Sequence, residues 1–329
     1  MKKILNHLFE NKTFSREEAQ RILTSIALGE FNNSQIAAFI TAYAMRNITV
    51  EELMGFRDAM LDLCLQMDFS DFELVDLCGT GGDGKDTFNI STLASFVVAG
   101  AGYKVAKHGN YGVSSGCGSS NVLEFLGYRF TNDESVLKKS LDKAGICFFH
   151  APLFNPAMKT VAPIRRELGV KTFFNMLGPM CNPARPKNQL IGVFSLELAR
   201  LYAYLYQQTD KNYSIIHALG GYDEISLTCD FKLFNQFGES IQSVEDLGFQ
   251  LLNEDEIKGG VDIAASAKIF IEVLNAKATD AQQNVVLSNA ALAIQTIAPS
   301  KSFADAYYQA EEALISGKAK QCFQNLVAS

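Results

Sequence analysis

Phe72-Glu73-Leu74-Val75-Asp76-Leu77-Cys78-Gly79-Thr80-Gly81-Gly82-Asp83-Gly84 is the stretch whose reading decides the fold. Its first half is a short apolar run and its second half is rich in glycine, so it reads as a strand that ends in a loop. A helix is predicted next, from about 91 to 99, and then a second strand over 103–107. Strand, glycine loop, helix and strand are the opening of a βαβ unit, whose crossover makes the two strands parallel.

The alternation continues toward the C-terminus. Helices are predicted from the Asn121-x-x-Glu124 box and over 134–144, and strands over 146–150, 190–194 and 214–219. Residues 230–256 are polar and mixed, as in a hairpin with loops. From Val261 onward the pattern is helical, with Phe303, Ala306, Tyr307, Ala310 and Leu314 forming a late stripe. The expected fold class is α/β, with a mostly parallel central sheet covered by helices on both sides.

Toward the N-terminus the first 65 residues read as helices only. Ser15-x-x-Glu18 is a capping box ahead of Ala19, Ile22, Leu23 and Ile26; Ser34 is expected to open a second helix; Thr49-x-x-Glu52 caps a third. The segment 165–186 interrupts the alternation: a helix ends at Leu168-Gly169, and a short one over 173–177 stops at Gly178-Pro179. It is expected to pack back onto the N-terminal helices. The predicted division is a helical domain over 1–66 joined by 165–186, and an α/β domain over 70–164 and 187–329.

Bulk properties narrow the function. A chain of 329 residues exceeds what one hydrophobic core usually serves. The net charge of -7 argues against a nucleic-acid partner, which calls for a basic face. Cysteines at 64, 78, 117, 147, 181, 229 and 322 are odd in number and scattered, and His7, His108, His150 and His217 make no metal motif, so neither a disulfide framework nor a zinc site is expected. A reducing, cytoplasmic location fits that pattern. The N-terminal apolar run is broken by Asn6 and His7, so no signal peptide is expected, and no apolar stretch is long enough for a bilayer.

Four segments carry chemistry. Gly79, Gly81 and Gly84 match G-x-G-x-x-G, so a dinucleotide fold has to be weighed. That fold wants an acid on the ribose at the end of the next strand, where this chain has Lys107-His108-Gly109-Asn110. A cation there favours a second phosphate group. Asn89-Ile90-Ser91-Thr92 places hydroxyls and free N–H groups at a helix start, which is an anion site, although such residues also cap helices for structural reasons. The third segment runs from Lys107 through Gly112, Ser114, Ser115 and Ser119; its plain alternative is a surface loop with Lys107 solvated. The fourth, Asp223-Glu224 after Gly220-Gly221, suits Mg²⁺, which takes one or two carboxylates together with phosphate oxygens and water.

With these segments in place, the chain resembles the anthranilate phosphoribosyltransferases over nearly its whole length. The resemblance is carried by the 79–83 loop with 89–92, by Lys107-His108-Gly109-Asn110, and by Pro156-Ala157-Met158-Lys159. It continues in Val161-Ala162-Pro163-Ile164-Arg165-Arg166-Glu167-Leu168-Gly169, in Phe174-Asn175-Met176-Leu177-Gly178-Pro179 with Asn182-Pro183, and in Gly221-Tyr222-Asp223-Glu224-Ile225-Ser226.

It implies a small all-helical domain beside a larger α/β domain, the architecture shared with nucleoside phosphorylases, assembled as a homodimer through the helical domains. It implies transfer of the phosphoribosyl group of 5-phosphoribosyl 1-diphosphate to the amine of anthranilate, with Mg²⁺, as a step of tryptophan biosynthesis.

Carried over by resemblance, the ribosyl donor is held by Gly79, Gly82, Asp83, Thr87, Asn89, Ile90, Ser91 and Thr92, together with Lys107, His108, Gly109, Asn110, Tyr111, Gly112, Val113, Ser114, Ser115 and Ser119. Gly79, Asn110 and Arg165 contact anthranilate, with Arg165 facing its carboxylate. Ser91, Asp223 and Glu224 bind magnesium. No side chain is assigned as acid or base; catalysis rests on positioning and on the charge of Lys107.

Tyr111 stands where the family usually has Arg, and Asn155 where it commonly has His. Gly116-Cys117 and Ser120-Asn121 replace what is more often Lys-Ser and Ala-Asp. Two rivals stay open at this stage: a pyrimidine nucleoside phosphorylase, and a non-catalytic relative that binds nucleic acid.

Overall fold

A computed structural model of the chain describes residues 1–112, 116–156 and 158–329; the expectations placed on Val113, Ser114 and Ser115 lie outside them. In chain order the elements begin with α1 (Lys2–Phe9), α2 (Arg16–Ala27), α3 (Asn33–Ala44) and α4 (Val50–Leu63). Then come β1 (Leu74–Gly79), α5 (Ile90–Gly100), β2 (Lys104–Gly109), α6 (Ser119–Phe125), α7 (Glu134–Ala144) and β3 (Ile146–His150). Next are α8 (Ala151–Phe154), α9 (Met158–Leu168), two short 3₁₀ turns (Phe173–Met176 and Gly178–Met180), β4 (Asn188–Gly192), α10 (Leu196–Tyr206) and β5 (Asn212–Ala218). The hairpin β6 (Phe231–Asn235) and β7 (Gly238–Gln242) leads through a 3₁₀ turn (Glu254–Ile257) to α11 (Ile263–Leu274), α12 (Asp280–Ile297), α13 (Phe303–Ile315) and α14 (Lys318–Val327).

The chain forms two compact units. One is Met1–Met67 with Ala151–Pro183, and the other is Asp68–His150 with Ala184–Ser329. The inserted stretch of the helical unit therefore starts at Ala151, not at 165. The reason is α9, which buries Val161 and Ile164 and packs on α2 and α3. The 3₁₀ turn over Phe173–Met176 ends before Gly178-Pro179, as expected, and those two residues open a second one, where Pro179 in the first turn has no intrahelical N–H bond to lose.

Within the helical unit, the capping box at Thr49 and Glu52 does more than close α4. Glu52 is fully buried and accepts from the Phe14 amide at 3.1 Å, the Tyr43 hydroxyl at 2.8 Å and the Thr49 amide at 3.1 Å, and it pairs with Arg46. A buried carboxylate persists only with such a full set of donors. Phe173 fills the space beside it, stacked on Phe56 at 4.6 Å and tilted against Tyr43 at 5.2 Å. The α3 cap is Asn32, not Ser34: the Asn32 side-chain Oδ1 accepts from the Gln35 amide at 3.0 Å, and the Gln35 side-chain Oε1 accepts from the Asn32 amide in return.

The second unit is α/β, as expected. Its seven strands run in the order β3-β2-β1-β4-β5-β6-β7, parallel from β3 to β5 and antiparallel across β6 and β7. The core gathers around α5, whose Leu93, Phe96 and Val97 are fully buried. Phe96 meets Phe270 and Phe323 edge-on, at 6.0 and 5.5 Å, which ties α5 to α11 and α14. From β1 the chain moves one way to β2 and β3, and later the other way from β4 to β5. The reversal lies between β1 and β4, and crevices at such switch points, beyond the carboxyl ends of the strands, are where open α/β sheets bind ligands.

Candidate active site

β1 and β4 run in register as far as Gly79 opposite Gly192, and the Thr80 amide extends the ladder to the Gly192 carbonyl at 2.9 Å. Beyond β5 the chain turns at Gly220-Gly221 and brings Tyr222-Asp223-Glu224 back across both strand ends. The Ala218 amide closes this return on the Tyr222 carbonyl at 3.1 Å. The approach is close. A Cβ on Gly192 would land on the Asp223 carbonyl oxygen, and one on Gly79 would lie 2.5 Å from Asp223 Oδ2. Two facing glycines thus form the seat of the carboxylate loop. Asn289 of α12, itself buried, fixes the loop from below by pairing both the N–H and the carbonyl of Ile225, at 3.1 and 2.9 Å.

Each carboxylate is engaged by the glycine-rich segment. Asp223 Oδ2 accepts from the Gly81 amide at 2.7 Å. Glu224 accepts from the Ser91 amide at 3.1 Å and from the Thr87 hydroxyl at 3.2 Å. The Asn89 side chain at the start of α5 does not cap that helix; it donates to the Cys117 carbonyl at 3.0 Å. Glu224 therefore performs the capping from a distance, with its charge against the positive end of α5. Thr92 is buried in the first turn.

These acids are crowded. Burial, and after it the charge of Asp83, pushes the Asp223 carboxyl up to about 7. Burial followed by the Asp223 charge also pushes Glu224 up. Adjacent carboxylates with raised pKa values, Asp223 buried and Glu224 half-buried, form a cation-seeking donor set, because a bound cation stabilises the charged forms that burial disfavours. Among the described residues no group of three or more His, Cys, Asp or Glu side chains is arranged to hold a metal unaided. The set fits Mg²⁺, which draws its remaining ligands from phosphate oxygens and water.

The β2 end lies on the same side of the sheet. Lys107 is 2% exposed and its ammonium donates to the Leu77 carbonyl, so the solvated alternative is excluded: its charge sits beneath the glycine-rich loop. The His108 amide is held by Asp76 at 3.0 Å. A Cβ on Gly109 would strike the Ser119 hydroxyl and Phe148. The Ser119 hydroxyl and the Ser120 amide both donate to the Asn110 carbonyl, at 3.3 and 3.1 Å. Asn121 does not open α6 as expected. Helix α6 starts at Ser119, and Asn121 Oδ1 accepts from Gly112 and Gly118 at 2.9 and 3.0 Å, clamping both ends of the loop. Tyr111 donates to Glu124 at 3.3 Å and meets His150 edge-on at 4.8 Å.

Arg165 belongs to the helical unit, in the last turn of α9. It donates to Asn175 Oδ1 at 3.3 Å, and its guanidinium lies 5.2 Å from the Phe174 ring centre. Burial lowers its pKa, and a guanidinium keeps its charge regardless. Asn155 closes α8, its side chain donating to the Ala151 carbonyl at 3.2 Å.

The residues brought together around the switch point are Gly79, Thr87, Ser91, Asp223 and Glu224. Sequence reasoning missed Gly192, although a glycine inside a predicted strand is a known sign of close backbone approach. It also missed Asn289, which no motif marks.

A helical unit followed by a mostly parallel α/β unit is the two-domain arrangement that the models of a glycosyl transferase family describe, and both match this chain. Residues 2–64 match the glycosyl transferase family, helical bundle domain, and residues 71–320 match the glycosyl transferase family, a/b domain. The anthranilate phosphoribosyltransferase of Flavobacterium johnsoniae is 57% identical over 326 residues, covering 99% of this chain and 98% of the relative. That of Flavobacterium psychrophilum is 58% identical with the same coverage. The crystal structure of the Thermus thermophilus anthranilate phosphoribosyltransferase superposes with a TM-score of 0.92 at 29% identity, over 99% of this chain and 98% of that one. The chain belongs to the anthranilate phosphoribosyltransferase family. The Saccharomyces cerevisiae enzyme, solved in complex with PRPP and Mg, shares the fold with a TM-score of 0.91 at 24% identity, over 99% of this chain and 96% of that one.

Proposed function

We propose that this chain transfers the phosphoribosyl group of 5-phosphoribosyl 1-diphosphate to the amine of anthranilate, with Mg²⁺ bound at Asp223, Glu224 and Ser91. One observation carries the reading: the 222–224 loop is seated on Gly79 and Gly192 and bonded to Gly81, Thr87 and Ser91, so carboxylates and anion-binding backbone share one crevice. The relatives' shared activity and the yeast complex with PRPP and Mg support it. The carboxylate pair also disfavours a phosphorylase that works with inorganic phosphate and has no use for a metal.

In the reaction the neutral amine nitrogen attacks C1 of the ribose. The C1–O bond to the diphosphate breaks, its electron pair leaves with the diphosphate, and the amine releases one proton. When bound, Mg²⁺ neutralises charge on the leaving diphosphate. The chain's own groups do the positioning. Gly79, Gly82, Asp83 and the 87–92 segment hold the donor, and Lys107 lends its charge from below. Fixing two reactants in this way is worth about 7–11 kcal/mol in intramolecular analogues, which leaves no demand for a strong base. Anthranilate fluorescence tests the reaction: signal is lost only when enzyme, donor and Mg²⁺ are all present. Loss with inorganic phosphate replacing the donor would sink the assignment.

Arg165 is assigned to the anthranilate carboxylate. A charge-assisted bond of this kind is worth roughly 1.5–3 kcal/mol, so Arg165→Ala raises the KM for anthranilate about 10- to 100-fold and leaves the donor's KM nearly unchanged. Equal rises for both substrates would remove the assignment. Arg165→Lys rescues poorly, because an ammonium lacks the planar fork.

The proposal includes a cytoplasmic homodimer joined through the helical unit. Phe9 and Met45 give that unit exposed apolar surface. No helix among the described residues is long and apolar enough to cross a membrane. Sedimentation at micromolar concentration is expected to return twice the chain mass of 36.1 kDa, and a monomer there would refute the dimer.

A further inference from the structure

The glycine-rich loop is tied down at its far end by a segment remote in sequence. Thr87 forms an antiparallel bridge with Lys258, the Gly259 amide donates to the Asp86 carbonyl at 2.7 Å, and the Phe88 amide reaches the Ile257 carbonyl at 3.4 Å. Lys85 lies inside this strap. Its ammonium pairs with Glu254 at 3.1 Å and sits 4.5 Å from the centre of the Tyr222 ring. Tyr222 is 2% exposed and immediately precedes Asp223 and Glu224. One side chain of the glycine-rich loop thus touches the carboxylate loop and the strap together.

An exposed ion pair alone contributes little. A cation over a buried ring contributes more, and here it joins two loops that must keep register. Gly81, Thr87 and Ser91 donate to Asp223 and Glu224 only while that register holds. The steps described for transfer leave Lys85 without a part, and no donor or acceptor contact is assigned to it.

We propose that Lys85 is a positioning residue that latches the glycine-rich loop to the 222–224 loop through Tyr222 and Glu254, and thereby preorganises the diphosphate and Mg²⁺ site. The inference rests on the proposed function for what the site binds, and on the contacts alone for the latch.

Two measurements test it. In substrate-free protein, hydrogen exchange at the amides of 85–88 is expected to quicken about fivefold or more in Lys85→Met and to recover in Lys85→Arg. In steady state, Lys85→Met raises the half-saturating donor and Mg²⁺ concentrations about 5- to 20-fold, with the anthranilate KM within about twofold. Glu254→Gln moves both quantities the same way by less. Unchanged exchange in Lys85→Met overturns the latch. So does a lower donor requirement in Glu254→Gln, since that marks a lysine freed to bind the donor directly. Faster exchange in Lys85→Met, together with a wild-type chain that transfers no phosphoribosyl group, supports the latch and removes the proposed function instead.

Discussion

Changing Asp223 to Asn and Glu224 to Gln together reduces magnesium-dependent transfer by at least about 10³-fold, the scale expected when the principal electrostatic support of a leaving group is lost. The folded state survives the exchange. Each amide keeps an oxygen for Gly81 or Ser91, and the cost of holding two charges in a buried site beside Asp83, which raises both carboxyl pKa values, disappears. The thermal midpoint without metal is therefore expected to stay level or rise. The single variant Glu224→Gln also neutralises the distant cap of α5, so hydrogen exchange at Ser91 and Thr92 increases modestly. Turnover of the double variant within tenfold of wild type would show that the metal is held elsewhere.

Gly192→Ala is the second large effect, and it acts without touching any ionisable group. Its new methyl group falls on the Asp223 backbone carbonyl, where no side-chain rotation can relieve the clash. Overpacking of this kind costs about 1–3 kcal/mol, and the loop carrying both carboxylates has to lift to accommodate it. The expected result is a loss of activity near that of the double carboxylate variant, together with a lower denaturation midpoint. Gly79→Ala meets a carboxylate oxygen that can rotate away, so it costs less stability while still disturbing Asp223. Equal stability losses for the two alanines would show that side-chain rotation at Asp223 offers no relief.

Much of this was legible before any coordinates. Alternating elements announced the α/β unit, and a glycine loop between strand and helix marked the crevice at the end of β1, because both depend on residues close together in the chain. Asp223 and Glu224 were readable from their place after a strand and a tight turn. What escaped were contacts made across long separations. Gly192 matters only because residue 223 descends onto it, and Lys85 only because residues 222 and 254 arrive beside it. Lys107 shows a third case: its charge was visible and its burial was not, since β2 looks like a strand with an exposed end until β1 and β3 flank it. The start of α3 is capped by Asn32 in place of Ser34, because several polar side chains near a helix start compete for the same amides, and α6 begins at Ser119, with Asn121 Oδ1 taken up by the Gly112 and Gly118 amides.

The divided helical unit bears on how the molecule is made. Domains usually form in the order they leave the ribosome. Here the first 67 residues emerge with Glu52 and all its donors (Phe14, Tyr43, Arg46 and Thr49) already present. Phe173, which fills the middle of the same unit, emerges only after β1, β2 and β3. The nascent helices thus possess their polar lock long before their aromatic plug. Synthesis of the sheet's first half falls within the assembly of the bundle, so the bundle's last segment reaches it only after β1, β2 and β3 have been made.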